Sequence, residues 1–278
     1  MGIKVNNLSN SNRKVVNQLG AFSVIEYEKD SSVNIGNAQV EYFMGKMGVR
    51  RRQVLVNLNN SAVTVQAGSM QWMAGPIQAG SGVKGVGDLV LKKLKSSVTK
   101  ESTVKPVYSG SGQLMLEPTY KYILLLNVGE WGRGVTIEDG MFLACDQSVQ
   151  QKIVARSSIS SAVMGGEGLF NLSLQGTGVA ALESNVPMEE LIEIELDNDT
   201  LKVDGNLAVC WSSNLDFTVE RTTKTLTGSA ISGEGFVNVY RGTGKVLMCP
   251  VAPTKSLYDS TSSMAGKAAA IKSNTFGK

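Results

Sequence analysis

The chain writes three short phrases three times each, in one order, and this repetition constrains its fold more than any other feature. A glycine phrase closes at Gly112 in VYSGSGQLMLEP, at Gly178 in GEGLFNLSLQGTG and at Gly244 in GEGFVNVYRGTG, 66 residues apart each time. A second phrase reads VTVQAGSMQWM (63–73), VTIEDGMFLAC (135–145) and LKVDGNLAVC (201–210). Each copy is an alternating strand, a tight turn and another apolar strand, with Gly68, Gly140 and Gly205 suited to a turn that needs positive φ. A third phrase opens each copy: VLVNL (54–58), ILLLN (123–127) and IEIEL (192–196). The middle one is continuously apolar and predicts a strand buried on both faces; the last alternates apolar and acidic residues, the mark of a half-exposed strand.

These phrases divide the chain into units at 54–122, 123–191 and 192–253, preceded by an N-terminal extension with the first strands (1–53) and followed by a tail (254–278). Each unit offers short strands separated by Gly-rich turns, an all-β pattern with room for short helices between strands. A unit of this length is marginal alone, so the three are expected to share one compact body. A count of three suits β-sandwich-like units in a ring with pseudo-threefold symmetry; a linear stack would leave edge strands open. Gly68, Gly112, Gly140, Gly178, Gly205 and Gly244 are read as structural turn glycines. The GSG and GTG turns could also hold an anion on their backbone N–H groups, but no following helix or P-loop lysine supports that use.

Composition then removes several chemistries. The chain has no histidine among its 278 residues. This excludes Ser-His-Asp and Cys-His nucleophiles, His-ligated zinc and every histidine acid–base scheme. Its three cysteines form no CxxC pair and suit a reducing cytoplasm, the expected location. Cys145 and Cys210 each lie five residues after a turn glycine, where the first unit has Met73; a slot holding Cys, Cys and Met reads as apolar core. No apolar run reaches the roughly 18 residues that span a bilayer, and no secretory signal is expected at the start.

The glycine phrases resemble those of the "altered inheritance of mitochondria" family of bacteria and fungal mitochondria, over roughly residues 38 to 253. That resemblance implies a fold similar to the tryptophan RNA-binding attenuation protein (TRAP-like), with repeated β units about a pseudo-threefold axis. It implies no known activity and no catalytic residues. Fungal members are linked to inner-membrane organisation. The strand-like AFSVIEYE (21–28) and the tail lie beyond the resemblance.

Charge is uneven. Residues 46–105 hold ten Lys/Arg and two Asp/Glu in a chain whose overall charge is +3. Within that segment Arg50, Arg51 and Arg52 form a cluster before a strand, although alternation sends neighbouring side chains to opposite faces. In 88–100, Leu91, Leu94 and Val98 fall on one helical face and Lys92, Lys93 and Lys95 on others. These six cations are the candidate surface for an anionic partner, RNA or an anionic membrane surface; the alternative is a solvated strand start and a short helix covering a β unit. GSGVKG (80–85) matches the dinucleotide phrase G-x-G-x-x-G, but repeated β units are not the βαβ context it requires. Glu193 and Glu195 share one strand face about 7 Å apart, read as charge on an outer face. The tail's AGKAAAIK could form a helical turn or two and an assembly contact.

No catalytic, cofactor-binding or metal-binding residue emerges. The expected function is a non-enzymatic structural, scaffold or interaction protein with protein partners or self-association; the alternative is RNA or anionic-lipid binding through the basic first unit. Oligomeric state stays open, since three units in one chain already supply a self-sufficient body.

Overall fold

The computed structural model describes residues 3–80, 105–155, 170–221 and 236–252, and over these the chain is predominantly β. It opens with a hairpin of β1 (Arg13–Leu19) and β2 (Phe22–Tyr27), then helix α1 (Ala38–Lys46). The extension segment 21–28 is thus a strand, and β2 pairs antiparallel with β3 (Arg52–Val65), Phe22 opposite Val56. There follow β4 (Met70–Ala74), β5 (Ile77–Gly80) and β6 (Val107–Leu116). Next come β7 (Tyr122–Asn127), β8 (Val135–Ile137), β9 (Phe142–Asp146), β10 (Gln150–Ala155), β11 (Phe170–Gln175) and β12 (Val179–Ser184). Last are β13 (Ile192–Asp204), β14 (Ala208–Ser212), β15 (Asp216–Arg221) and β16 (Phe236–Met248).

One pairing scheme occurs three times. A long first strand pairs antiparallel with a long last strand: β3 with β6, β7 and β8 with β12 and β11, β13 with β16. The second strand joins the C-terminal half of the last one (β4, β9, β14). The third joins its N-terminal half (β5, β10, β15). The connections 81–106, 156–169 and 222–235 therefore each begin and end on paired residues: Gly80 opposite Val107, Ala155 opposite Phe170, Arg221 opposite Phe236.

The glycine phrase occupies the middle of the last strand, not a turn between two strands. Gly112 and Gly244 lie inside β6 and β16, while Gly178 closes the short break between β11 and β12. In the outer two groups the phrase faces a bulge. Leu58 pairs with Gly112 and Ser61 with Gly110, so Asn59 and Asn60 together oppose Ser111. Leu196 and Asp199 likewise pair with Gly244 and Gly242, leaving Asp197 and Asn198 opposite Thr243. Asn60 and Asn198 take positive φ (47° and 52°), and their N–H groups donate to Ser111 Oγ (2.8 Å) and Thr243 Oγ1 (3.0 Å). The hydroxyl of G-[S/T]-G thus satisfies a backbone donor that the bulge removes from the ladder. The glycines flanking it are bare because the turn between second and third strands crosses there: a Cβ on Gly110 or Gly112 would overlap the carbonyl oxygens of Pro76 or Ala74, and one on Gly244 would meet Ser212. Gly68, Gly140 and Gly205 take positive φ of 84°, 82° and 61°.

Successive groups are joined by two further ladders. At the first junction Val63 pairs with Asp146, Thr64 with Cys145 and Val65 with Ala144. At the second, Val135 pairs with Ser212, Thr136 with Trp211 and Ile137 with Cys210. Hydroxyls tighten this second junction: Ser213 Oγ lies 2.9 Å from both Thr136 Oγ1 and Ser173 Oγ. The core follows these joints. β7 is buried on both faces as its apolar run foretold, with Leu124 and Leu126 in one cluster and Ile123 and Leu125 in another. Glu193 and Glu195 are exposed on β13, Glu193 3.4 Å from Lys245.

Cys145, Cys210 and Cys249 are all buried. Strand register corrects their expected equivalence. Met73 pairs with Leu114, Cys145 with Ala180 and Trp211 with Val246, each two residues beyond the phrase glycine, so these three share one slot. Cys210 corresponds to Ala144 and Trp72 instead. Counting five residues from the turn glycine fails because the third copy carries a different spacing through its turn. Met73 is also 42% exposed, not core.

Replacing Gly110 by alanine drives a Cβ into backbone while holding a φ of 135° that only glycine tolerates. The expected loss is about 2 kcal/mol or more, read from urea denaturation, whereas Gly68→Ala, with open space around its Cβ position, costs only about 1 kcal/mol through φ.

Candidate functional site

The three consecutive arginines sit where β3 begins, and alternation separates them as expected. Arg52 is buried: its backbone exchanges hydrogen bonds with Thr119 (2.7 and 2.9 Å). Its guanidinium lies 2.7 Å from Glu26 and 3.9 Å from the Tyr122 ring centroid. Arg50 bridges Glu26 (3.1 Å) and Glu28 (2.9 Å). Arg51 contacts Asp30 at 2.6 Å and donates from Nε to Tyr120 Oη at 2.8 Å. Each arginine therefore meets a carboxylate from β2 or the segment just after it. Lys92, Lys93 and Lys95 lie outside the described residues, as does the phrase 80–85 beyond Gly80.

Arg50 and Arg51 open onto a cleft of about 570 Å³, whose walls include Asp30, Glu41, Tyr42 and Tyr120. Helix α1 forms one side. It buries none of its own residues, yet it is fastened to the sheet by one polar chain: Arg51 Nε donates to Tyr120, whose hydroxyl donates to Glu41 Oε1 at 2.7 Å. The other side is the 28–33 segment, held by Asp30, which accepts from the Ser32 hydroxyl (2.6 Å) and N–H (2.9 Å). Val40, Tyr42, Phe43 and Met47 are exposed on and after the helix.

The electrostatics match this fastening. The hydrogen bonds from Ser32, with the Arg51 charge behind them, hold the Asp30 carboxyl below its ordinary range. The hydrogen bond to Tyr120 raises Arg51 further. Burial raises Tyr120 above the usual phenol. Arg51, Asp30, Tyr120 and Glu41 are thus each bound to another of the four, and the cleft is a clasp between α1, the 28–33 segment and the sheet. Asp30, Glu41 and Tyr120 are absent from the sequence reading, since nothing local marks residues that meet across 79 and 90 positions.

The thiols are the other nucleophile candidates. Burial pushes Cys145 up to about 12 and raises Cys210 and Cys249 as well, the opposite of the lowered value that a reactive cysteine needs. Among the described residues no group of three His, Cys, Asp or Glu is placed to hold a metal ion. No helix among them is long and apolar enough to cross a membrane.

Comparison with known proteins completes the picture. The family model described as mitochondrial biogenesis AIM24 matches residues 47–251. An uncharacterized protein of Streptococcus pyogenes serotype M6 is 31% identical over 196 residues, 68% of this chain and 76% of the relative. A Streptococcus pyogenes protein solved by X-ray crystallography is 26% identical, with a TM-score of 0.54, and the match covers 79% of this chain and 94% of that one.

Two outcomes test this description. Asp30 has a depressed value in the folded state, so its contribution is present above the ordinary aspartate range and is lost as pH falls through the folded value. Asp30→Asn is expected to lower stability at pH 7 by about 1 kcal/mol, and the gap to the wild type should close as pH falls below the ordinary aspartate range in parallel denaturation curves. With a thiol value near 12, about one Cys145 in 10⁴ is thiolate at pH 8; native protein should resist iodoacetamide and react on unfolding, as counted by mass spectrometry.

Proposed function

The chain belongs to the mitochondrial biogenesis AIM24 family, and from that membership we propose a non-enzymatic scaffold or interaction protein. One observation carries the reading: the two junctions between strand groups repeat the same register, so the chain's pairing capacity goes into rigid joints between like parts. The clasp at the start of β3 supports it too, because its ionisable groups hold secondary structure together and the thiols are buried. A closed, TRAP-like body about a pseudo-threefold axis draws support from those two equal junctions, and a third between the β13–β16 and β3–β6 groups would complete it. Units at 54–122, 123–191 and 192–253 fit the repeated scheme.

A second reading has one observation in its favour, the excess of ten Lys/Arg over two Asp/Glu in residues 46–105. Since Arg50, Arg51 and Arg52 meet carboxylates, an RNA or anionic-lipid contact would rest on Lys92, Lys93 and Lys95. The test is purification of tagged protein from native lysate at low salt, followed by an organic phosphate assay and identification of bound proteins. The scaffold reading expects stoichiometric protein partners and no phosphate above background. Phosphate that strips away at high salt, and is lost on reversing the three lysine charges, supports the second reading. Turnover in a broad substrate screen, lost on Arg51→Ala, overturns the first.

A further inference from the structure

The second junction departs from the first in chemistry, not in register. Thr64 lies between Val107 and Cys145 in its ladders, and Thr136, in the same place, lies between Ser173 and Trp211. The third copy follows the first, with Lys202 facing Val239. One slot of the last strand thus holds Val107, Ser173 and Val239. Two residues earlier, Asn171 stands opposite Val154 where Val237 stands opposite Glu220. Asn171, Ser173 and Gln175 alternate along β11 and share one face of the sheet. Asn171 and Ser173 are buried. Burying polar side chains costs free energy, and the valines of the other copies show that the strand scheme does not require it. A buried polar stripe that the fold can do without is where a site is to be sought.

This face lines a cavity of about 250 Å³ between the second and third groups. The second group supplies Thr136, Ser173 and Gln175; the third supplies Ser213, Trp211 and Phe217. Ser213 Oγ lies 2.9 Å from both Thr136 Oγ1 and Ser173 Oγ, and Gln175 Nε2 donates to Ser173 Oγ at 3.2 Å. The two hydroxyl–hydroxyl contacts use two of three hydroxyl protons. Among the described residues the third proton has no acceptor, so one O–H of the three is left to donate to an occupant. The apolar wall is aromatic, with Trp211 packed on Phe217 at 5.4 Å between ring centroids. No lysine or arginine lines the cavity among the described residues. Its one charged residue, Asp216, is exposed and stands opposite Arg241 in the β15–β16 ladder, whose charge it meets. An anion therefore finds no counter-charge here, and a cation finds a carboxylate already matched.

We propose that the second junction binds one small uncharged polyhydroxyl ring, a monosaccharide or a cyclic polyol. Such a molecule carries both chemistries of the wall. Its hydroxyls exchange hydrogen bonds with Thr136, Ser173 and Gln175, and its C–H groups, slightly positive, lie against the negative faces of Trp211 and Phe217. The cavity is smaller than the roughly 300 Å³ at which drug-sized sites begin, so it takes a single ring and not a chain. Because its walls come from two groups, the occupant bridges the joint between them.

The test is a titration of isotope-labelled full-length protein with D-glucose, D-galactose, D-mannose and myo-inositol, one at a time at millimolar concentration, followed by NMR. The three tryptophans give three indole N–H signals, and Trp211→Phe identifies the one at the cavity. At least one probe is expected to move the Trp211 signal saturably and leave those of Trp72 and Trp131 in place. Ser173→Val, which installs the residue of the other two copies, should weaken that binding by about 10-fold or more while the spectrum stays that of the folded protein. Ser173→Ala, which adds no volume, gives the same readout if valine disturbs the fold. No saturable shift with any of the four probes overturns the proposal. A shift that survives loss of the Ser173 hydroxyl overturns it as well, and so does one produced by choline and by none of the four, which marks a cation site instead.

Discussion

Everything in this molecule leans on a close crossing: in each group the turn after the second strand passes directly over the middle of the last strand. Backbone approaches backbone or a short side chain there, which only glycine permits. The crossing lets the second and third strands take opposite halves of the last one. That in turn frees the outer edge of the second strand to receive the first strand of the preceding group. The bulge at Asn60 and Asn198 belongs to the same device, since it bends the first strand to follow and hands its stray N–H to the hydroxyl between the glycines.

The repetition was legible for this reason. A steric requirement leaves the same letters wherever the crossing recurs, whatever the surrounding core becomes. The all-β class and the doubly buried β7 were readable through the same route, from glycine phrases and from ILLLN. The conformation behind the letters was less readable: G-[S/T]-G suits a turn or a strand bend equally until the opposing strand is seen. The cysteine slot failed on a similar point. Counting from a turn glycine assumes equal turns, whereas pairing with the last strand fixes the true equivalence of Cys145 with Met73 and Trp211.

The clasp was illegible for a different reason. Sequence showed three arginines in a row and suggested an outward-looking charge. What decides their role is where Glu26, Glu28 and Asp30 come to lie, and that follows from β2 adding to the edge of β3. Tyr120 and Glu41 carry no local pattern at all. Helix α1 is hard to foresee because it lacks a buried apolar stripe; it is tied down by polar contacts at its first turn instead of packed by its face.

The three connections described with the strand ladders, residues 81–106, 156–169 and 222–235, leave and re-enter each group at neighbouring, paired positions. A segment anchored this way adds little strain however long it grows. Lengthening it from the size of the later two to that of the first costs only about 0.5 kcal/mol of closure entropy. Length can therefore vary between these three connections while the ladders that hold their ends keep one register.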